Sequence, residues 1–201
     1  MKKETRILEM PLEIREASND GETPEIRGTA VVYDAWSEDL GGFVERIAPG
    51  AFGDLSNRDL VAQAHHEGGM STIGRTPKTL AVSDSRERLS YRISPPDTTA
   101  TRDLLKQIDA GIVTGSSFIF RVKAGGETIS EDDDGQITRT VTDAELFEVS
   151  PVISPAYPQT DVARRSVERF REERESAAWA DENEKMKRAN DARLLGMRAA
   201  L

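Results

Sequence analysis

All nine prolines of this 201-residue chain lie at or before Pro158, and none follows it. That division decides most of what the chain can fold into, because proline removes a backbone donor and clashes inside a helix. Up to Pro158 the apolar residues come in short runs, β-branched in part and bounded by Gly, Pro, Asn or Asp, which is a strand pattern. It predicts strands over residues 5–17, 25–36, 43–47, 60–66, 79–84, 88–94, 111–122 and 136–152. Pro11 marks a bend or an edge position in the first of these. One helix is expected among them, in "PPDTTATRDLLKQIDAG": Asp97 or Thr98 caps its start, Leu104, Leu105 and Ile108 form a short apolar face, and Gly111 stops it. "APGAFGDL" is expected to hold a further helical turn.

After Pro158 the composition changes. The segment "DVARRSVERFREERESAAWADENEKMKRANDARLLGMRAAL" is rich in Arg, Glu and Ala and reads as helix, with Glu168 and Arg171 as a close-spaced pair of opposite charges. Val162, Val167, Phe170 and Trp179 form no heptad, so a long coiled coil is not expected. With 37% hydrophobic and 31% charged residues there is apolar material for one core and not for two. The expected organisation is a β-rich domain over residues 1–160 and a charged helical tail over 161–201, either solvated or serving as a docking arm.

The net charge of −9 argues against a nucleic-acid partner, which calls for a basic face. The chain lacks cysteine, which removes a thiol nucleophile, disulfides and thiolate metal sites. Charges interrupt "ETRILEMPLEI" where a signal peptide needs an apolar core, and no segment approaches the roughly 20 apolar residues of a membrane span. A soluble, intracellular protein without a membrane partner is expected. "GGETISEDDDGQ" lacks the alternating ligands and terminal Glu of a calcium loop and is expected to be a solvated hairpin tip.

Within "GIVTGSSFIFRV" successive strand side chains point to opposite faces. Ser116 then lies with Phe118, Phe120 and Val122, where a small hydroxyl is packing filler. Ser117 lies with Ile119 and Arg121 on the more polar side. A strand serine by itself does no more than bond a neighbouring carbonyl; chemistry requires a base to take its proton. The two histidines, His65 and His66 in "LVAQAHHEGGMSTIGRT", are the candidate bases. A carboxylate to orient the imidazole is available in "LFEVSPVISPAY", where Glu148 shares a face with Ser150, and Phe147 with Val149. A Glu among apolar residues is costly to bury without a partner, although a solvated edge carboxylate or a salt bridge gives the same pattern. Adjacent strand histidines point in opposite directions, and no other His or any Cys completes a common zinc set, so no metal centre is expected.

Taken in order over about residues 25–160, "GTAVVYDAW…FVERIAPGAF", "HHEGGMSTIGRT", "TRDLLKQIDAG", "GSSFIF" and "LFEVSPVISPAY" resemble the prohead maturation proteases of tailed phages. Through them the chain is distantly similar to the herpesvirus assemblins. The resemblance implies a mainly β fold with helices (α+β): an assemblin-like closed β-barrel core surrounded by helices, extended by a C-terminal helix. It implies Ser117 as nucleophile, a base from the histidine segment, and Glu148 where assemblins carry a second histidine. His66 fits better than His65, because the family's histidine precedes an acidic or polar residue, here Glu67, and Gly68–Gly69 can absorb a longer loop. Assemblins take an oxyanion donor from an arginine that "SPAYPQT" lacks, leaving main-chain N–H groups near Gly115 or in residues 154–157 as candidates.

The function implied is a serine endopeptidase that cleaves the major capsid protein precursor and scaffold protein, and itself, inside the procapsid assembling in the host cytoplasm. No cofactor is required, and a homo-oligomer stays open. The alternative is a non-catalytic scaffold or capsid-associated assembly protein that retains the barrel.

Overall fold

The computed structural model describes residues 3–16, 23–64, 71–153 and 161–199. The chain divides into two compact units, Met1–Val162 and Ala163–Leu201. The strands described in the first unit form three sheets. A five-stranded sheet has the order β1 (Glu4–Leu8), β9 (Gly115–Val122), β12 (Ala144–Val152), β5 (Val61–Gln63), β6 (Thr72–Arg75). A four-stranded sheet has the order β2 (Glu13–Arg15), β3 (Glu25–Val32), β8 (Arg88–Ile93), β7 (Leu80–Asp84). The third sheet runs β10 (Glu127–Glu131), β11 (Ile137–Val141), β4 (Val44–Ile47). Helix α1 (Thr99–Asp109) connects β8 to β9, and α2 spans Asp161–Ala199.

The fold is thus mainly β with two helices among the described residues, but the expected closed barrel is not what the ladders form. Each sheet is open, with β1 and β6 as the edges of the largest. Closure needs a ladder between edge strands, and here the connections carry the chain from one sheet to another instead. Pro11 is one such point: the single strand expected over residues 5–17 is broken into β1 and β2, which join different sheets. Residues 136–152 are divided likewise into β11 and β12, where the amides of Thr142 and Asp143 turn aside to the Gly126 carbonyl. The sheets share one core, in which Phe52 meets Phe118 and Phe120 edge-on at 6.2 and 6.3 Å between ring centroids.

Helix α1 starts where Thr98 accepts from the Thr101 amide at 3.2 Å, and it ends before Gly111, whose φ of +69° suits glycine. Leu104 is buried, and Leu105 and Ile108 pack on the core. The helical turn expected in "APGAFGDL" is instead a pair of tight turns, Ala51 N–H to Ala48 O and Gly53 N–H to Gly50 O. They insert Ala51 and Phe52 into the core. The acidic segment is a hairpin of β10 and β11 whose tip is held by Asp132 Oδ1, accepting from the Asp134 and Gln136 amides.

A buried ion network ties β1 to the third sheet. Arg6 donates to Glu45 at 2.8 Å through both Nε and Nη2, and to Glu4 at 2.9 Å. Arg139 donates to both Glu4 oxygens at 2.8 and 2.9 Å and to Glu127 at 2.6 Å, and it pairs with Glu45. Burial alone would raise the Glu4 carboxyl, but the bonds and charges of Arg139 and Arg6 outweigh it and hold it below its ordinary value.

In α2, residues 171–182 are exposed, with Lys185–Asp181 and Arg188–Glu184 ion pairs one turn apart. Val167 is the only buried side chain among those described in this helix. No described helix is long and apolar enough to cross a membrane.

Candidate active site

Strand β9 runs between β1 and β12, so its residues have a neighbour on each side: Ser117 stands opposite Ile7 in β1 and Ser150 in β12. The alternation read from sequence holds. Ser116, Phe118, Phe120 and Val122 are buried on the core face. Ile119 and Arg121, which share the other face with Ser117, are partly exposed.

Ser116 is more than filler. Its hydroxyl bonds the Tyr91 hydroxyl at 2.9 Å in the core, and burial raises the Tyr91 phenol far above its ordinary value. A Cβ on Gly28, opposite Tyr91 in the β3–β8 ladder, would lie 2.5 Å from the Tyr91 oxygen. The glycine therefore makes room for that tyrosine ring. Ser116 is thereby committed to the core.

Ser117 donates its hydroxyl proton to the Arg6 main-chain carbonyl at 2.8 Å and has 0% exposure. The ion network that anchors Arg6 thus also fixes the carbonyl that receives this proton. For this hydroxyl to act as a nucleophile, general-base catalysis requires its O–H to turn from the carbonyl to a base.

The carboxylate is placed by a bulge. Leu146 stands opposite Phe120 but Glu148 stands opposite Ile119, so Phe147 is the extra residue. This puts Glu148 and Ser150 on the Ser117 face while Leu146 still enters the core. Glu148 is buried, and its Oε1 accepts from Ser150 Oγ at 2.7 Å. Ser150 Oγ in turn accepts from the Gln63 amide at 3.0 Å.

Gln63 ends β5, the strand that leads to the histidines. Strand β5 runs parallel to β12, with Val61 opposite Glu148, and two residues later its amide meets a side-chain oxygen rather than a strand carbonyl. Ala64 N–H to Ser71 O, at 2.9 Å, closes the base of the intervening segment. His65 and His66 lie outside the described residues, as do residues 154–157. Ser117 and Glu148 are therefore brought to one face of neighbouring strands, beside the end of the strand that carries the histidine segment. The Ser150 link was not expected from the sequence, although a small hydroxyl two positions from a strand Glu was its available signal.

Among the described residues no group of three or more acidic or His side chains could hold a metal ion. An open recess of about 540 Å³ on the four-stranded sheet, lined by Pro11, Gly28, Ser83 and Tyr91, includes none of the candidate residues. A hydroxyl and a carboxylate on one face suit acyl transfer once a base completes them.

A family model described as caudovirus prohead serine protease matches residues 10–173, which include Ser117, His66 and Glu148. Among solved structures, the bacteriophage T4 capsid assembly protease gp21 is similar at 14% identity and a TM-score of 0.48, covering 77% of this chain and 100% of that one. No curated protein sequence matches the chain.

Proposed function

The chain belongs to the caudovirus prohead serine protease family, and from that membership we propose that Ser117, His66 and Glu148 are its catalytic groups. The activity is that of a serine endopeptidase in procapsid maturation. Its substrates are capsid precursor and scaffold protein, and the protease itself, cleaved inside the procapsid in the host cytoplasm. The observation that carries the reading is the shared face of Ser117 and Glu148, next to the strand that ends three residues before His66.

In this reading Ser117 Oγ attacks the scissile carbonyl carbon as His66 takes its proton. His66 returns that proton to the leaving amine, and water then hydrolyses the acyl-enzyme by the reverse use of the same base. Glu148 orients the imidazole and stabilises it when charged. Acyl transfer of this kind uses no cofactor. Main-chain N–H groups near Gly115 or in residues 154–157 are the candidate donors to the oxyanion.

The net charge of −9 supports a reading without a nucleic-acid partner. The exposed Trp179 and Met186 of α2 support a docking role for residues 161–201, with catalysis in residues 1–160. An assemblin-like ancestry of the core belongs to the same proposal; it rests on the ordered motifs over about residues 25–160 and not on strand closure.

The test is coexpression with the major capsid protein precursor of the same phage, reading cleavage by mass spectrometry. The wild type should process the precursor at a defined site and Ser117→Ala should not. Unprocessed precursor with a folded wild-type protein would favour a non-catalytic assembly protein.

A further inference from the structure

We propose that Ser150 is a positioning residue of this site, tying the Glu148 carboxylate to the strand that delivers the histidines; this rests on the Ser117–His66–Glu148 reading above. A buried strand serine ordinarily bonds a nearby carbonyl and does nothing more. Ser150 differs in both of its partners. Its proton goes to Glu148 Oε1 at 2.7 Å, and its oxygen accepts the Gln63 amide at 3.0 Å.

Both partners bear on the reaction. The bond to Glu148 is charge-assisted and directional, so it restricts the rotation of a carboxylate whose task is to hold an imidazole in place. The bond from Gln63 fixes the chain at the last residue of β5, two residues before His65 and three before His66. One hydroxyl therefore sets the separation between the orienting acid and the root of the base-bearing segment. Ser150 has 0% exposure and faces Ser117 across the ladder, so the same residue also packs against the nucleophile's strand. It holds the acid in place without touching the reacting atoms.

The experiment follows the rate at which a fluorophosphonate labels Ser117 in the full chain, for wild type, Ser150→Ala, Glu148→Gln and the double variant, together with thermal melts. Ser150→Ala should slow labelling by about 10-fold to 100-fold, the range seen when a residue that orients a functional ligand is lost. In the Glu148→Gln background the same change should cost less than about 2-fold, because both substitutions break one unit.

A purely structural serine would lower the melting temperature and leave the labelling rate unchanged, or would add its full factor to Glu148→Gln; either result overturns the proposal. If Ser150→Ala does not fold, Ser150→Cys keeps the volume, weakens the bond, and is judged by the same cycle. Wild-type labelling by Glu148→Gln would remove the triad reading and this inference with it. A slow Glu148→Gln beside a wild-type Ser150→Ala would remove the inference alone.

Discussion

Ser117 and Ser150 stand opposite each other in the β9–β12 ladder, and their hydroxyls are committed differently: Ser117 to the Arg6 carbonyl, Ser150 to the Glu148 carboxylate. The bulge at Phe147 makes this register compatible with a core-facing Leu146. The strands that carry Ser117 and Glu148, β9 and β12, and β5, which ends at Gln63, are consecutive in one sheet.

The two adjacent serines should separate activity from stability. Ser117→Ala and His66→Ala should abolish precursor cleavage, a loss of about six orders of magnitude in rate, and Glu148→Gln should be crippled yet measurable. Ser116→Ala should retain activity but lose about 1–3 kcal/mol of stability, because the buried Tyr91 hydroxyl is left unpaired. Cleavage assays and urea melts on the four variants check this. A dead but stable Ser116→Ala beside an active Ser117→Ala would reverse the assignment.

Among the described residues, Arg139 should be the charged residue whose loss costs most stability. It is 1% exposed and balances Glu4, Glu45 and Glu127, so Arg139→Ala leaves the two buried carboxylates, Glu4 and Glu45, with Arg6 as their shared cation, at a cost of about 3–5 kcal/mol. The exposed Arg75–Asp59 pair, at 65% and 62% side-chain exposure, should contribute little, because solvent screens it. Urea denaturation of Arg139→Ala and Asp59→Ala should show this contrast.

The same network sets an acid limit. The folded Glu4 carboxyl sits below its ordinary value of 4.5, so its contribution is complete above that pH. It disappears as pH falls through the lower folded value, where the folded state takes up the proton that the unfolded chain already binds. Urea midpoints should therefore decline below about pH 4.5, and Glu4→Gln should be less stable at neutral pH with a shallower decline.

Much of this was legible in the sequence, for reasons that also mark its limits. Alternation in "GSSFIFRV" and "LFEVSPV" assigns Ser117 and Glu148 to faces, because strand period depends only on local geometry. It does not say which strands pair, so the bend at Pro11 was legible from the proline, but the assignment of β1 and β2 to different sheets and the open sheets were not. Strand β10 went unseen because Glu127, Thr128 and Ser130 have no apolar alternation, and only pairing with β11 makes them a strand. The Glu4–Arg6–Glu45–Arg139 network joins residues up to 135 positions apart, and each of them alone reads as a surface charge. The Ser150 link required knowing that β5 lies beside β12.

Truncation should separate the tail from the catalytic unit. Removing residues 161–201 should leave a soluble protein that still reacts with a serine-directed probe, while sharply lowering its copies in isolated procapsids. A second truncation beginning at Glu172 spares the buried Val167 and removes the exposed stretch that includes Trp179. It should show the same packaging defect. Aggregation of the first truncation with normal behaviour of the second would assign the start of α2 to the fold. Normal packaging of both would place the docking surface in residues 1–160.

The most direct test of the central claim is the mass-spectrometric mapping of a fluorophosphonate adduct on the full-length protein. A single adduct on Ser117 is predicted, absent from Ser117→Ala and His66→Ala and retained by Ser116→Ala. An adduct on Ser116 or Ser150, or none on a folded protein that still cleaves capsid precursor, would contradict it.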